Sequence, residues 1–131
     1  VGQESFEDGN LKFYYSMQNC FNSNKIDIVF LSSVMQYLES PYTILEQIFK
    51  FAPKFILLDR TSFVDGNRDL LTIQNIPKKI YSASLPCWFF SKRLFINNFD
   101  NNGYELIEEI DCDELFNIGE FKGMFFKRKD I

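Results

Sequence analysis

Two apolar runs in this chain stop at residues that can do chemistry. IDIVFL, residues 26–31, ends in Ser32-Ser33, and FILL, residues 55–58, ends in Asp59-Arg60-Thr61. Small hydroxyl side chains let a ligand approach the backbone and can hydrogen-bond it, and a carboxylate beside a guanidinium can orient anionic or hydroxyl-bearing groups. Short continuous apolar runs read as strands buried on both faces of a parallel sheet. In such sheets ligands bind beyond the carboxyl ends of the strands, where strand order reverses, so the two polar sets are expected to share one rim. The competing readings are structural: serines that terminate a strand, and an Asp-Arg pair that caps a turn or forms an ion pair.

The elements that must carry these residues follow from local pattern. After the turn signal Asp8-Gly9-Asn10, the β-rich LKFYYSM of residues 11–17 predicts a short strand; residues 18–25 read as a helical turn or a loop. Ser40 is a plausible N-cap with Pro41 at the first helical position, Tyr42, Leu45, Ile48 and Phe49 form one helical stripe, and Pro53 closes the helix. Residues 70–76 predict a strand cut off by Pro77, residues 77–90 an irregular aromatic loop around Pro86 and Trp88. Ser91 caps a second helix that Gly103 stops. Residues 104–110 and 121–128 predict an antiparallel pair joined around Asn117 and Gly119. The fold class is therefore α/β, opening on a right-handed βαβ unit, with a mostly parallel sheet and a terminal antiparallel pair.

Composition narrows the chemistry. The 131 residues, 46% hydrophobic with 16 Phe and 6 Tyr, are enough for one domain over 1–131 with an aromatic core. A net charge of −4 argues against a nucleic-acid partner. Cys20, Cys87 and Cys112 are odd in number and widely spaced, which fits neither a disulfide framework nor a zinc site and points to a reducing, cytoplasmic setting. With no histidine there is no Ser-His-Asp triad and no zincin. No apolar stretch reaches the ~20 residues of a membrane span. The acidic stretch Glu108, Glu109, Asp111, Asp113, Glu114 reads as a solvated strand end that could also hold a cation; no metal is expected.

The stretch DIVFLSSVMQYLESPYTILEQI resembles the fourth-strand segment of class I S-adenosylmethionine-dependent methyltransferases, where a strand opening on Asp leads through a small polar pair to a D/S-P helix start. Gln36-Tyr37-Leu38, Pro41-Tyr42, residues 57–63, 85–91, 103–106 and 122–128 together resemble a bacterial methyltransferase family often associated with surface-polysaccharide gene clusters. The resemblance covers nearly the whole chain. It implies a Rossmann-like sheet of order 3-2-1-4-5-7-6 with the seventh strand antiparallel, of which residues 11–17, 26–32 and 55–59 are strands three, four and five. Strands one and two would be missing, so the chain would be a truncated portion of the domain, and no G-x-G occurs in it.

What the resemblance implies for the site is a partial cofactor pocket for S-adenosyl-L-methionine: Tyr15, Ser16 and Met17 near the adenine, and Ser32, Ser33 and Val34 beneath the methionine and sulfonium. Asp59 is the candidate base and Arg60 the candidate orienting cation for a small-molecule acceptor, a sugar or other hydroxyl compound. Tyr81 and Trp88 could stack on a sugar ring, or could simply cover the core. The strand preceding Ser32 would lack a neighbour, and its open edge would be resolved by truncation, by strand three moving in, or by a homodimer. A haloacid-dehalogenase phosphatase is excluded because Thr61 stands where a second Asp is needed, and a P-loop because its glycines are absent. A non-catalytic binding or assembly domain on the same scaffold is the alternative.

Overall fold

The computed structural model describes residues 1–115 and 118–131; Asn117 and the side chain of Glu114 lie outside that description. In chain order the elements are α1 (Gly2–Ser5), α2 (Met17–Ser23), β1 (Ile28–Ser32), a 3-10 turn (Met35–Tyr37), α3 (Pro41–Phe51), β2 (Phe55–Val64), β3 (Leu70–Ile76), β4 (Ala83–Ser91), α4 (Lys92–Asn101), β5 (Tyr104–Leu115) and β6 (Glu120–Arg128). The class is α/β with one mixed six-stranded sheet of order β3-β4-β2-β6-β5, with β1 pairing β2 off that path.

The sheet is mostly antiparallel, which corrects the mostly parallel expectation. β1 and β4 run parallel to β2, whereas β2–β6, β3–β4 and β5–β6 are antiparallel. The difference comes from residues 77–90. Only residues 77–82 are irregular; Ala83–Ser91 form β4, whose residues 83–89 pair with all of β3, Ile73 opposite Pro86 and Ile76 opposite Ala83. Pro86 is tolerated because β4 meets β2 only at Phe90 and Ser91, so around the proline one strand edge is open and a missing N–H breaks no ladder there.

Residues 11–17 are not a strand either. Asp8 Oδ1 accepts from the backbone N–H of Asn10 and Leu11, both at 2.7 Å, as the turn signal predicts. Ser16 then caps α2, its Oγ accepting from Asn19 N at 3.1 Å. A β-rich segment becomes a strand only when a ladder partner is available, and here local capping wins.

Both long helices lie on the same face of the sheet. Leu45 and Ile48 of α3 and Phe95 and Phe99 of α4 join Ile56, Leu58, Phe63, Phe90, Met124 and Phe126 in a fully buried cluster. Its aromatic geometry is specific: Phe99 stacks on Phe126 at 3.8 Å and meets Phe49 edge-on at 5.1 Å. On the opposite face, Ile28, Phe30, Phe55, Leu57 and Phe125 are brought together by the pairings Ile28–Phe55, Phe30–Leu57 and Leu57–Phe125. No described helix covers them, and Ile28 and Phe30 are 53% and 57% exposed. β1 is thus half-buried on one face and exposed on the other, not buried on both.

Polar clamps close the helix layer. Asp69, in the β2–β3 connection, accepts from Tyr42 Oη at 2.8 Å and from Ser91 N at 2.7 Å, tying α3 and the start of α4 together. Ser91 caps α4 as expected, its Oγ accepting from Leu94 N. Gly103 ends α4 with φ of +86°, which the chain needs to turn into β5. Tyr104 is 1% exposed, and its hydroxyl donates to Pro53 O at 2.7 Å.

Burial pushes the Tyr104 phenol up to about 12 from its ordinary 10.0. An unfolded chain would ionise this group near pH 10, whereas the folded chain keeps its proton until about pH 12. The stability it contributes is therefore complete below pH 10 and lost between 10 and 12, and Tyr104→Phe is expected to flatten urea-unfolding free energies across that window. Phe99→Ala should cost about 3–5 kcal/mol in the same assay.

Candidate functional site

Ser32 and Asp59 face each other across the β1–β2 ladder as a register pair. Ser32 Oγ donates to Asp59 Oδ2 at 2.7 Å, and Ser33 N donates to Asp59 O at 2.9 Å. The serine pair and the Asp-Arg-Thr triplet thus open on one end of the parallel pair, as the sequence pattern predicts. The local geometry differs from the expectation in one respect. β2 does not end at Asp59 but runs on to Val64.

A bulge makes this possible. Between the pairs Leu58–Met124 and Thr61–Lys122, β2 advances three residues while β6 advances two. The extra residue leaves Asp59 and Arg60 outside the ladder with β6 and reverses the inward parity of the strand. Ile56 and Leu58 point into the core before it; Thr61 and Phe63 are buried after it.

Two non-glycine residues facing this bulge adopt left-handed backbone, Ser33 at φ +56° and Arg60 at φ +50°. L-residues resist that region by about 1–2 kcal/mol each, and such strain persists only where the surroundings over-determine it. Here Gln36, in the 3-10 turn, supplies the constraint. It is fully buried, and its Nε2 donates to Arg60 O at 2.9 Å and more distantly to Ser33 Oγ at 3.4 Å, so one amide spans both left-handed residues. Gln36 Oε1 and Thr61 Oγ1 are buried without a hydrogen-bond partner. Val34 borders the turn and is partly exposed. Sequence reading named Gln36 only as part of a motif; an uncharged amide after a serine pair carries no local signal of bridging a bulge 24 residues away.

The remaining predicted site residues are not gathered here. Tyr15 is 90% exposed, Ser16 spends its hydroxyl on capping α2, and Met17 packs at the margin of the core. None sits at a strand end, because residues 11–17 form no strand. Tyr81 and Trp88 do not share a loop. Trp88 lies within β4, its Nε1 donating to Leu38 O at 3.1 Å, while Tyr81 is exposed in the β3–β4 connection.

The acidic stretch is used for ion pairing. Glu109 meets Lys92 at 2.8 Å, and Lys122 meets Asp111 at 2.5 Å, Glu120 at 3.3 Å and Glu109 at 3.6 Å. The hydrogen bond that Lys122 donates to Asp111 raises its ammonium above its ordinary value. Among the described residues no cluster of His, Cys, Asp and Glu could hold a metal ion, and no helix is long and apolar enough to cross a membrane.

Comparison with protein-family models, curated proteins and solved structures returns no match.

Strain at the bulge makes a stability prediction. Ser33→Gly should stabilise the fold by up to about 1 kcal/mol, because glycine adopts positive φ without a Cβ clash. Ser33→Val should destabilise it by about 2 kcal/mol, since a β-branched side chain resists that backbone more strongly. Urea unfolding of both variants checks this; an unchanged or weakened Ser33→Gly shows that the left-handed turn stores no strain.

Proposed function

We propose that the Ser32–Asp59 rim is the sulfonium-facing part of an S-adenosylmethionine-dependent methyltransferase pocket. The observation that carries the reading is the hydrogen-bonded Ser32–Asp59 pair set between two left-handed residues at the open end of parallel β1 and β2. Backbone strain gathered at one such end is the pattern of a ligand-holding segment. The pairing path β1-β2-β6-β5, with β6 reversed, also agrees with the 4-5-7-6 half of the methyltransferase order. The β3–β4 hairpin is additional to that order.

The donor set fits the group. A rim of the Asp59 carboxylate and two serine hydroxyls is rich in acceptors, which suits a ligand bearing a sulfonium and an ammonium. On this reading Ser32, Ser33 and Val34 hold the methionine end. The chain carries no G-x-G, so the proposal is confined to this portion of the pocket.

When bound, S-adenosylmethionine supplies an activated methyl group, so the protein's task is alignment and exclusion of water. Asp59 would take the proton that an acceptor hydroxyl gives up when it is methylated. Ser32 fixes the rotamer of that carboxylate through the 2.7 Å bond. Arg60, held by the bulge, orients the acceptor.

Isothermal calorimetry with S-adenosylmethionine tests binding, and saturable micromolar heat is expected. Asp59→Asn should retain binding while lowering methyl transfer about 100-fold or more, measured as S-adenosylhomocysteine formed. Absence of binding heat overturns the reading.

A second reading, an assembly domain, is favoured by the uncovered apolar face. The accessible surface of 8611 Å² exceeds the roughly 7,200 Å² expected of a compact 15.5 kDa monomer. Among the described residues no strand pairs with the outer edge of β1. A homodimer joined through β1 would cover Ile28 and Phe30. Sedimentation velocity should then show a dimer that Phe30→Lys converts to monomer; a monomer at all concentrations sinks this reading and leaves the methyltransferase one standing.

A further inference from the structure

We propose that the cleft in front of Trp88, between the first turn of α3 and Asp69, is a subsite for a neutral sugar. The inference rests on the methyltransferase reading only in taking that sugar as the acceptor; the binding itself stands on the cleft.

The cleft has a volume of about 330 Å³ and is lined by Glu39, Ser40, Tyr42, Thr43, Asp69 and Trp88 with Pro41. That is the small end of the range for ligand pockets, the size for one ring. Its aromatic wall is fixed in orientation. The Trp88 N–H is committed to Leu38 O at 3.1 Å, and the indole stacks on Phe90 at 6.5 Å and 17°. A planar apolar wall that cannot rotate away suits the C–H face of a pyranose, with little entropy lost on binding.

The polar lining is mixed in the manner a polyol requires. Pro41 opens α3, and Ser40, expected as its N-cap, makes no capping bond with its side chain. The first-turn N–H groups and the hydroxyls of Ser40 and Thr43 are therefore available as donors. Asp69 is an acceptor locked in place by Tyr42 Oη and Ser91 N, with lone pairs to spare. Hydroxyl groups, donor and acceptor at once, satisfy both sets.

Charge decides against the rival ligands. Two carboxylates, Asp69 and Glu39, and no Lys or Arg line the cleft, so a phosphate or sulfate would be repelled despite the helix end. The position also suits an acceptor. Glu39, at the edge of the cleft, is three residues from Gln36, at most about 11 Å of chain from the residue that holds the Ser33–Arg60 turn.

Trp88 is the single tryptophan of the chain, so its emission reports on the cleft directly. The protein without cofactor is titrated with methyl α-D-glucopyranoside, methyl α-D-galactopyranoside, methyl α-L-rhamnopyranoside and N-acetylglucosamine, with sodium sulfate as the anion. At least one sugar should give a saturable change with half-saturation of the order of 1 mM, as a small ligand allows. Sulfate should give none, and the surface double variant Glu39→Gln, Thr43→Val should weaken sugar binding at least fivefold while unfolding at the parental urea midpoint.

No saturation by any sugar below about 100 mM, an equal response to sulfate, or undiminished binding by the double variant would each overturn the assignment. Cofactor heat without a sugar response removes this subsite alone; a sugar response without cofactor heat removes the methyltransferase reading alone.

Discussion

The one-residue bulge in β2 is the constraint on which the rest of this molecule depends. A strand that slips by one residue turns its whole side-chain set to the wrong face. β2 slips deliberately, between Leu58 and Thr61, and so serves two surroundings: paired with β1 and β6 before the bulge, with β4 and β6 after it. Asp59 and Arg60 are the residues released by that change, and the buried amide of Gln36 holds the released segment. Structural necessity and chemical opportunity coincide there. The residues that leave the ladder with β6 are the ones whose polar groups meet Ser32, Ser33 and Gln36 instead.

A second feature is the asymmetry of the core. Stacked, tilted and edge-on rings of Phe49, Phe95, Phe99, Phe126 and Tyr104 concentrate packing on one side of the sheet, leaving Ile28 and Phe30 exposed on the other. A buried sheet face is the normal outcome when strands are this apolar. The bare face and the unpaired edge of β1 belong to the same strand, and any partner covering one would meet the other.

Polar residues that connect elements distant in sequence do most of the remaining positioning. Asp69 joins α3 to α4, and Trp88 joins β4 to the segment after the 3-10 turn. Tyr104 joins the start of β5 to the end of α3 through Pro53. Each bond is buried or half-buried, where an unmatched partner is costly, so each restricts the arrangement of the helices more than its number suggests.

What the sequence determined by itself was local. The apolar run before Ser32, the helix begun by Pro41, the cap at Ser91, the glycine stop at Gly103 and the last two strands are written in neighbouring residues and were legible there. The shared rim of Ser32 and Asp59 followed from the rule for parallel strands. Residues 11–17 failed as a strand because strand formation needs a partner, and Pro86 misled because its cost depends on which edge of β4 is open. The bulge, the left-handed Ser33 and Arg60, and the bridging role of Gln36 arise from pairing across 24 and more residues. No window of sequence contains both halves of such a contact. Only the tertiary structure decided them, because register and burial are properties of the partners a segment meets and not of the segment itself.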